Sequence, residues 1–75
     1  MKTIQRARDI PVGSTVSKLG EPDRYTLMDH KPAYDFGNQK RDRIEIDPDH
    51  RLLAVNVEFG LGSIIPADLE LVWHS

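Results

Sequence analysis

Residues 57–72 read VEFGLGSIIPADLELV. Apolar and polar residues alternate into two glycines, resume over Ser63-Ile64-Ile65, break at Pro66-Ala67-Asp68, and alternate again through Leu69, Leu71 and Trp73. A period of two marks a strand with one buried face. Gly60 and Gly62 permit the positive φ that a tight reversal needs. The proline break reads as one 3-10 turn near residues 66–68. The stretch therefore describes a strand, a reversal, a short strand, a turn and a last strand.

Working upstream, Leu53, Val55, Val57 and Phe59 share one face of a strand, with Ala54, Asn56 and Glu58 on the other. Ile44 and Ile46 alternate in the same way. Between them lies Asp47-Pro48-Asp49-His50, where proline presets a type I turn and aspartate bonds its own backbone. This pattern predicts a hairpin of 44–47 with 51–59. Ser14–Leu19 and Arg24–Met28 read as two further strands joined through Gly20-Glu21-Pro22-Asp23. Thr3–Asp9 reads as a short helix or an edge strand, and residues 1–10 as a flexible or edge segment. His30–Asp42, HKPAYDFGNQKRD, has no clean period. It reads as a long loop, about 30–43, of a length associated with function.

The expected architecture is one all-β domain, 1–75, of five or six antiparallel strands. Its expected core is Val16, Tyr25, Leu27, Ile44, Ile46, Leu53, Val55, Val57, Phe59, Leu69 and Leu71. The chain has no cysteine, which excludes disulfides and thiolate metal sites and fits a reducing, cytoplasmic setting. No apolar run reaches the ~18 residues of a membrane span, and MKTIQRARDI lacks the apolar centre of a secretory signal. Lys+Arg number 10 against 12 Asp+Glu, a net charge of −2 that argues against a dedicated nucleic-acid binder.

The order of elements resembles the SH3-like small β-barrels. The opening "IPVGSTV" and the closing corner quoted above carry the resemblance, over most of residues 11–73. Those motifs record how a small barrel closes and specify no chemistry. Within that group the chain has a faint similarity to the plasmid-borne type II dihydrofolate reductases, which are tetramers of such barrels working through a Val-Gln-Ile-Tyr run. The comparable place here is Ser63-Ile64-Ile65-Pro66, so no catalytic residue carries over.

Candidate sites follow from side-chain chemistry. Tyr34 and Phe36 sit just ahead of Lys40, Arg41 and Arg43. The aromatics supply apolar contact and the cations charge-assisted bonds, a combination suited to an acidic protein partner. The same groups, extended by Lys2, Arg6 and Arg8, offer the alternative of single-stranded nucleic acid. Met28, Leu52, Val72 and Trp73, with Ala54, fall on the outward strand face and are expected to form an interface in a homo-oligomer. In a second alternative, an oligomer builds an enzyme site at its symmetry axis.

Asp47-x-Asp49-His50 carries oxygen and nitrogen donors but reads first as a solvated turn. Asp29 and His30 are adjacent on a strand and so expected on opposite faces. His74 reads as a solvated terminal residue. The sequence predicts no metal, no cofactor and no catalytic constellation.

Overall fold

The computed structural model describes residues 1–34 and 41–75, with residues 32–34, 41 and 42 described as backbone. The protein is all-β. The strands are β1 (Lys2–Arg6), β2 (Thr15–Lys18), β3 (Arg24–Met28), β4 (His30–Tyr34), β5 (Arg41–Glu45), β6 (His50–Asn56), β7 (Leu61–Pro66) and β8 (Glu70–His74). A 3-10 helix, Ala7–Asp9, follows β1. Six strands form one antiparallel sheet in the order β1-β8-β2-β3-β6-β7, and β4 and β5 form a second sheet of two.

The register sorts the side chains of the main sheet into two faces. Leu71 lies beside Lys18 and Trp73 beside Val16; Val16 lies beside Tyr25, and Leu27 beside Leu53. Directly paired residues share a face, so Val16, Leu27, Leu53 and Leu71 point the same way. Together with Ala7, Ile10 and Ile65 they form the main core cluster, against which Tyr25 and Trp73 pack. Each fully buried Leu or Val contributes about 1.5–3 kcal/mol. The two edges of the sheet approach one another beyond their ends: Arg8 N–H donates to the Ala67 carbonyl (2.8 Å), and Ala7 N–H to that of Leu69 (2.9 Å).

The opposite face holds a second cluster of Met28, Leu52 and Ala54, with Ile46 packed against it. Leu52, Leu53 and Ala54 are therefore all buried, because β6 is covered on both sides. The expected alternation stops there. Ala54 pairs with Gly62 and Asn56 with Leu61, so Val55 is an extra residue in a β-bulge. It turns out to solvent and is 73% exposed. β6 ends at Asn56, and Val57 and Phe59 belong to the following turn, both exposed.

Three of the expected core residues are thus corrected, Val55 by the bulge and Val57 and Phe59 by the early end of β6. Ile44 and Leu69 are exposed for other reasons: Ile44 stands on the two-stranded sheet away from the core, and Leu69 lies in the turn before β8. Of the two glycines, Gly60 takes the positive φ (66°). Gly62 is required by close approach, because a Cβ there would lie 2.1 Å from the Leu53 carbonyl oxygen and 2.8 Å from the Ala54 Cα.

Two further expectations change. Residues 44–47 do not pair with 51–59. The Asp47–His50 turn forms, with the His50 N–H on the Asp47 carbonyl (3.0 Å), but it serves as a corner between β5 and β6. β5 pairs back to β4 in the register His30↔Glu45 through Tyr34↔Arg41. Most of the expected 30–43 loop is therefore a hairpin arm, continuing β3 through the bend at Asp29. At residues 66–69 a single turn closes through the Leu69 N–H and the Pro66 carbonyl (3.1 Å), while the 3-10 helix lies at Ala7–Asp9.

Candidate functional site

The arm carries the residues singled out for partner recognition. Phe36 and Lys40 lie outside the described residues. Tyr34 and Arg41 are paired backbone neighbours at the last described rung of the arm. Arg43 is half exposed, and its guanidinium bonds Glu45 and lies 3.7 Å from Asp29. Its charge is therefore already shared with two carboxylates at the arm's base.

Asp29 breaks the expectation for adjacent strand residues. It sits in the bend between β3 and β4, so its side chain reaches its neighbour, and Oδ1 lies 2.9 Å from His30 Nδ1. That bond, helped by its own backbone and by Arg43 but opposed by desolvation, holds the Asp29 carboxyl below the usual aspartate range.

The Asp47 carboxylate accepts from the Asp49 N–H (2.8 Å) and lies 3.1 Å from His50 Nδ1. Its oxygens accept within the turn, and among the described residues no cluster of three or more metal-ligating side chains occurs.

The four expected interface residues separate. Met28 and Leu52 are buried in the second cluster within the chain, where Ile46 packs on them. They were expected outward because their face of the sheet reads as solvent-facing until the segment after the arm is folded over it. Trp73 is half-buried against the main core, on the opposite face from Val72.

Val72 instead lines an open groove that the sequence pattern did not reveal. The groove encloses ≈ 520 Å³ on the outer sheet face, beneath the β2–β3 turn. Its walls include Lys2 of β1, Val72 and His74 of β8, Ser17 and Lys18 of β2, and Arg24 of β3, with Glu21 in the turn. The register brings them together: Lys2 pairs with His74, and Ser17 pairs with both Val72 and Arg24. These positions are up to 72 residues apart in the chain, so no local motif announces them.

Ser17 is the buried polar residue of this face, 4% exposed. Its Oγ lies 2.8 Å from His74 Nε2. Desolvation against the sheet lowers the His74 pKa below the usual histidine value of 6.5, and Arg24, Lys2 and the terminal amine lower it further. His74 is therefore neutral at pH 7, so one of Ser17 and His74 donates to the other. A serine beside a neutral histidine is half of a nucleophile–base arrangement. Among the described residues no carboxylate bonds the other ring nitrogen, and Ser17 is covered rather than presented to a substrate. The arrangement suits binding better than acyl transfer.

Among the described residues no helix is long and apolar enough to cross a membrane. No protein-family model, curated protein or solved structure matches this chain.

Proposed function

We propose that this protein is a non-enzymatic interaction module, acting in a cytoplasmic setting, that recognises a protein partner through the arm formed by β4 and β5. One observation carries the reading: the arm is a two-stranded sheet of its own, outside the hydrogen-bonding of the six-stranded sheet. The segment joining its strands holds Phe36 and Lys40, between Tyr34 and Arg41. A two-stranded sheet gains little stability alone, so an arm whose sequence carries two aromatics, Tyr34 and Phe36, fits a surface kept for contact. The SH3-like reading of the barrel belongs to the same proposal. Its support is the chain order: two strands, the arm, two strands, a single turn, and a last strand lying beside the first of the five.

The nucleic-acid alternative loses cations to intrachain pairs: Arg8 bonds Asp68 at 2.6 Å, and Arg43 bonds Glu45. Self-association, on this proposal, uses the exposed outer-face residues Ile4 and Ile64 with the half-buried Val72.

The test is a triple substitution, Tyr34→Ala, Phe36→Ala and Arg41→Ala, in the full chain. Partner binding is measured by cross-linking and then by titration with the identified partner. Loss of binding with an unchanged circular dichroism spectrum is the expected result. Undiminished binding by the triple variant rejects the arm as the working surface.

A further inference from the structure

We infer that the groove between β1, β8, β2 and β3 is a binding site for a dianionic oxyanion, the phosphate group of a phosphate monoester being the chemistry it fits. The site lies at the other end of β3 from the arm, and it goes beyond the partner recognition proposed there.

The argument begins with charge. Lys2 and Arg24 line the groove against one carboxylate, Glu21, while the Lys18 side chain points to the other face of the sheet, its ammonium 5.8 Å from the centre of the Tyr25 ring. In a chain whose net charge is −2, this is a local reversal of sign. The reversal is felt inside the groove, because Arg24 and Lys2 both disfavour a proton on His74. Their ammonium and guanidinium groups therefore act on the same small region. Lys2 on β1 and Arg24 on β3 stand on opposite sides of the groove, with β8 and β2 between them. A guanidinium on one wall and an ammonium on the other suit an anion with oxygens directed several ways.

The floor supplies the polar partners. Ser17 Oγ and His74 Nε2 are 2.8 Å apart in a region shielded enough to lower the histidine's pKa. Ser17 is covered, so it holds Nε2 of the ring, and the other ring nitrogen of the half-buried His74 is the one left to donate to an oxyanion. The groups around His74 come from every neighbouring element: Lys2 and the terminal amine from β1 and its start, Ser17 from β2, Glu21 from the turn, and Arg24 from β3. Cations outnumber the single carboxylate, so an arriving dianion meets little opposition.

Size sets the class. A volume of ≈ 520 Å³ lies within the range of small-ligand sites of about 300–1,000 Å³. The groove is open rather than enclosed, so it grips a charged head and leaves the remainder of the ligand in solvent. Val72 offers one apolar surface beside the head. A free small phosphate monoester and a phosphorylated side chain present the same chemistry to these walls.

A bound dianion must stabilise the His74 imidazolium, since its charge offsets that of Lys2 and Arg24. Binding therefore takes up a proton, and affinity rises as pH falls. Sulfate is the probe for this arm because its charge is constant over the range, whereas phosphate itself titrates.

The experiment is a titration of the full chain with sulfate, with inorganic phosphate and with acetate, followed by NMR at the Ser17 and Lys18 amides and the His74 ring. Saturable shifts with the dianions and none with acetate are expected, with sulfate affinity rising from about pH 8 to about pH 5. Lys2→Gln with Arg24→Gln should weaken binding by about tenfold or more. His74→Gln should keep binding at high pH and lose the pH dependence.

Phosphoserine free in solution and a phosphoserine peptide then distinguish a small ligand from a modified chain by which binds tighter. Shifts that track ionic strength without saturating, or saturable binding that the double variant leaves unchanged, would overturn the site. Because Lys2 and Arg24 are exposed, their loss leaves the fold intact, which an unchanged amide spectrum away from the groove verifies.

Discussion

At the scale of single residues, Leu53 and Val55 decide how the sheet is read. Both are apolar, two apart, and on one face of an ideal strand. Leu53 is wholly buried in the main core, while Val55 is bulged out to solvent. Leu53→Ala should destabilise the protein by about 2–5 kcal/mol, a large share of the margin of so small a chain. Val55→Thr should change stability by no more than about 0.5 kcal/mol. Urea denaturation measures both, and equal losses would place Val55 in the core after all.

Gly62 makes a second test at this scale. Its would-be Cβ meets backbone atoms of Leu53 and Ala54, which cannot swing aside. Gly62→Ala should cost about 1–3 kcal/mol through overpacking. Nothing in the local sequence separates Gly62 from Gly60, yet one is needed for space and the other for its φ of 66°.

At the scale of elements, the arm is the feature that sequence patterning could not resolve. Burial is what writes a period into a sequence, and among the described side chains of β4 and β5 Lys31, Arg43, Ile44 and Glu45 are all exposed. The turn at Asp47–His50 was legible, since Asp and Pro shape a turn locally. What the turn connects was not legible, because the choice between β5 pairing β6 and β5 pairing β4 is a long-range one.

The Asp29 carbonyl accepts from the Ile46 N–H at 3.0 Å, so the chain enters and leaves the arm at one point. Replacing residues 30–45 by Asn-Gly, a favoured hairpin turn, should leave the six-stranded sheet and the Met28, Leu52, Ala54 and Ile46 cluster in place. Thermal unfolding followed by circular dichroism should shift by only a few degrees; loss of cooperative unfolding would show that the arm supports the core.

At the scale of the whole molecule, the radius of gyration is 12.8 Å, above the roughly 11 Å expected of a compact chain of this length. The chain is drawn out along one direction, 42 × 23 × 17 Å. Its stability should depend on pH at two places. Asp29 and Asp47 have lowered pKa values. The folded state then binds their protons less readily than the unfolded state, and the stability they add above the unfolded value is lost as pH falls through the folded one. Asp29→Asn should flatten the acid limb below about pH 4, the effect being small because the carboxyl is well exposed.

His74 acts with the same sign in a higher window. Its folded pKa is lowered, so the unfolded chain takes up the proton first and stability falls as pH drops below about 6.5. Urea midpoints between about pH 8 and about pH 5 should show this decline in the native chain and not in His74→Gln.

The strand class, several strand positions, the turns and much of the inner core are legible in the amino-acid order alone. β3 lies at Arg24–Met28 as its pattern requires, and Val16, Leu27, Leu53 and Leu71 are buried as their alternation requires. Those features depend on local backbone preference and on a period of two, both of which are written along the chain. Long-range packing is what covers β6 on both faces, turns Val55 out of the core through a bulge, and sets β4 and β5 apart as an arm. It alone assembled the groove, because Lys2, Ser17, Arg24 and His74 become neighbours through the pairing of β1, β8, β2 and β3, and strand pairing is a property of the fold rather than of any stretch of sequence.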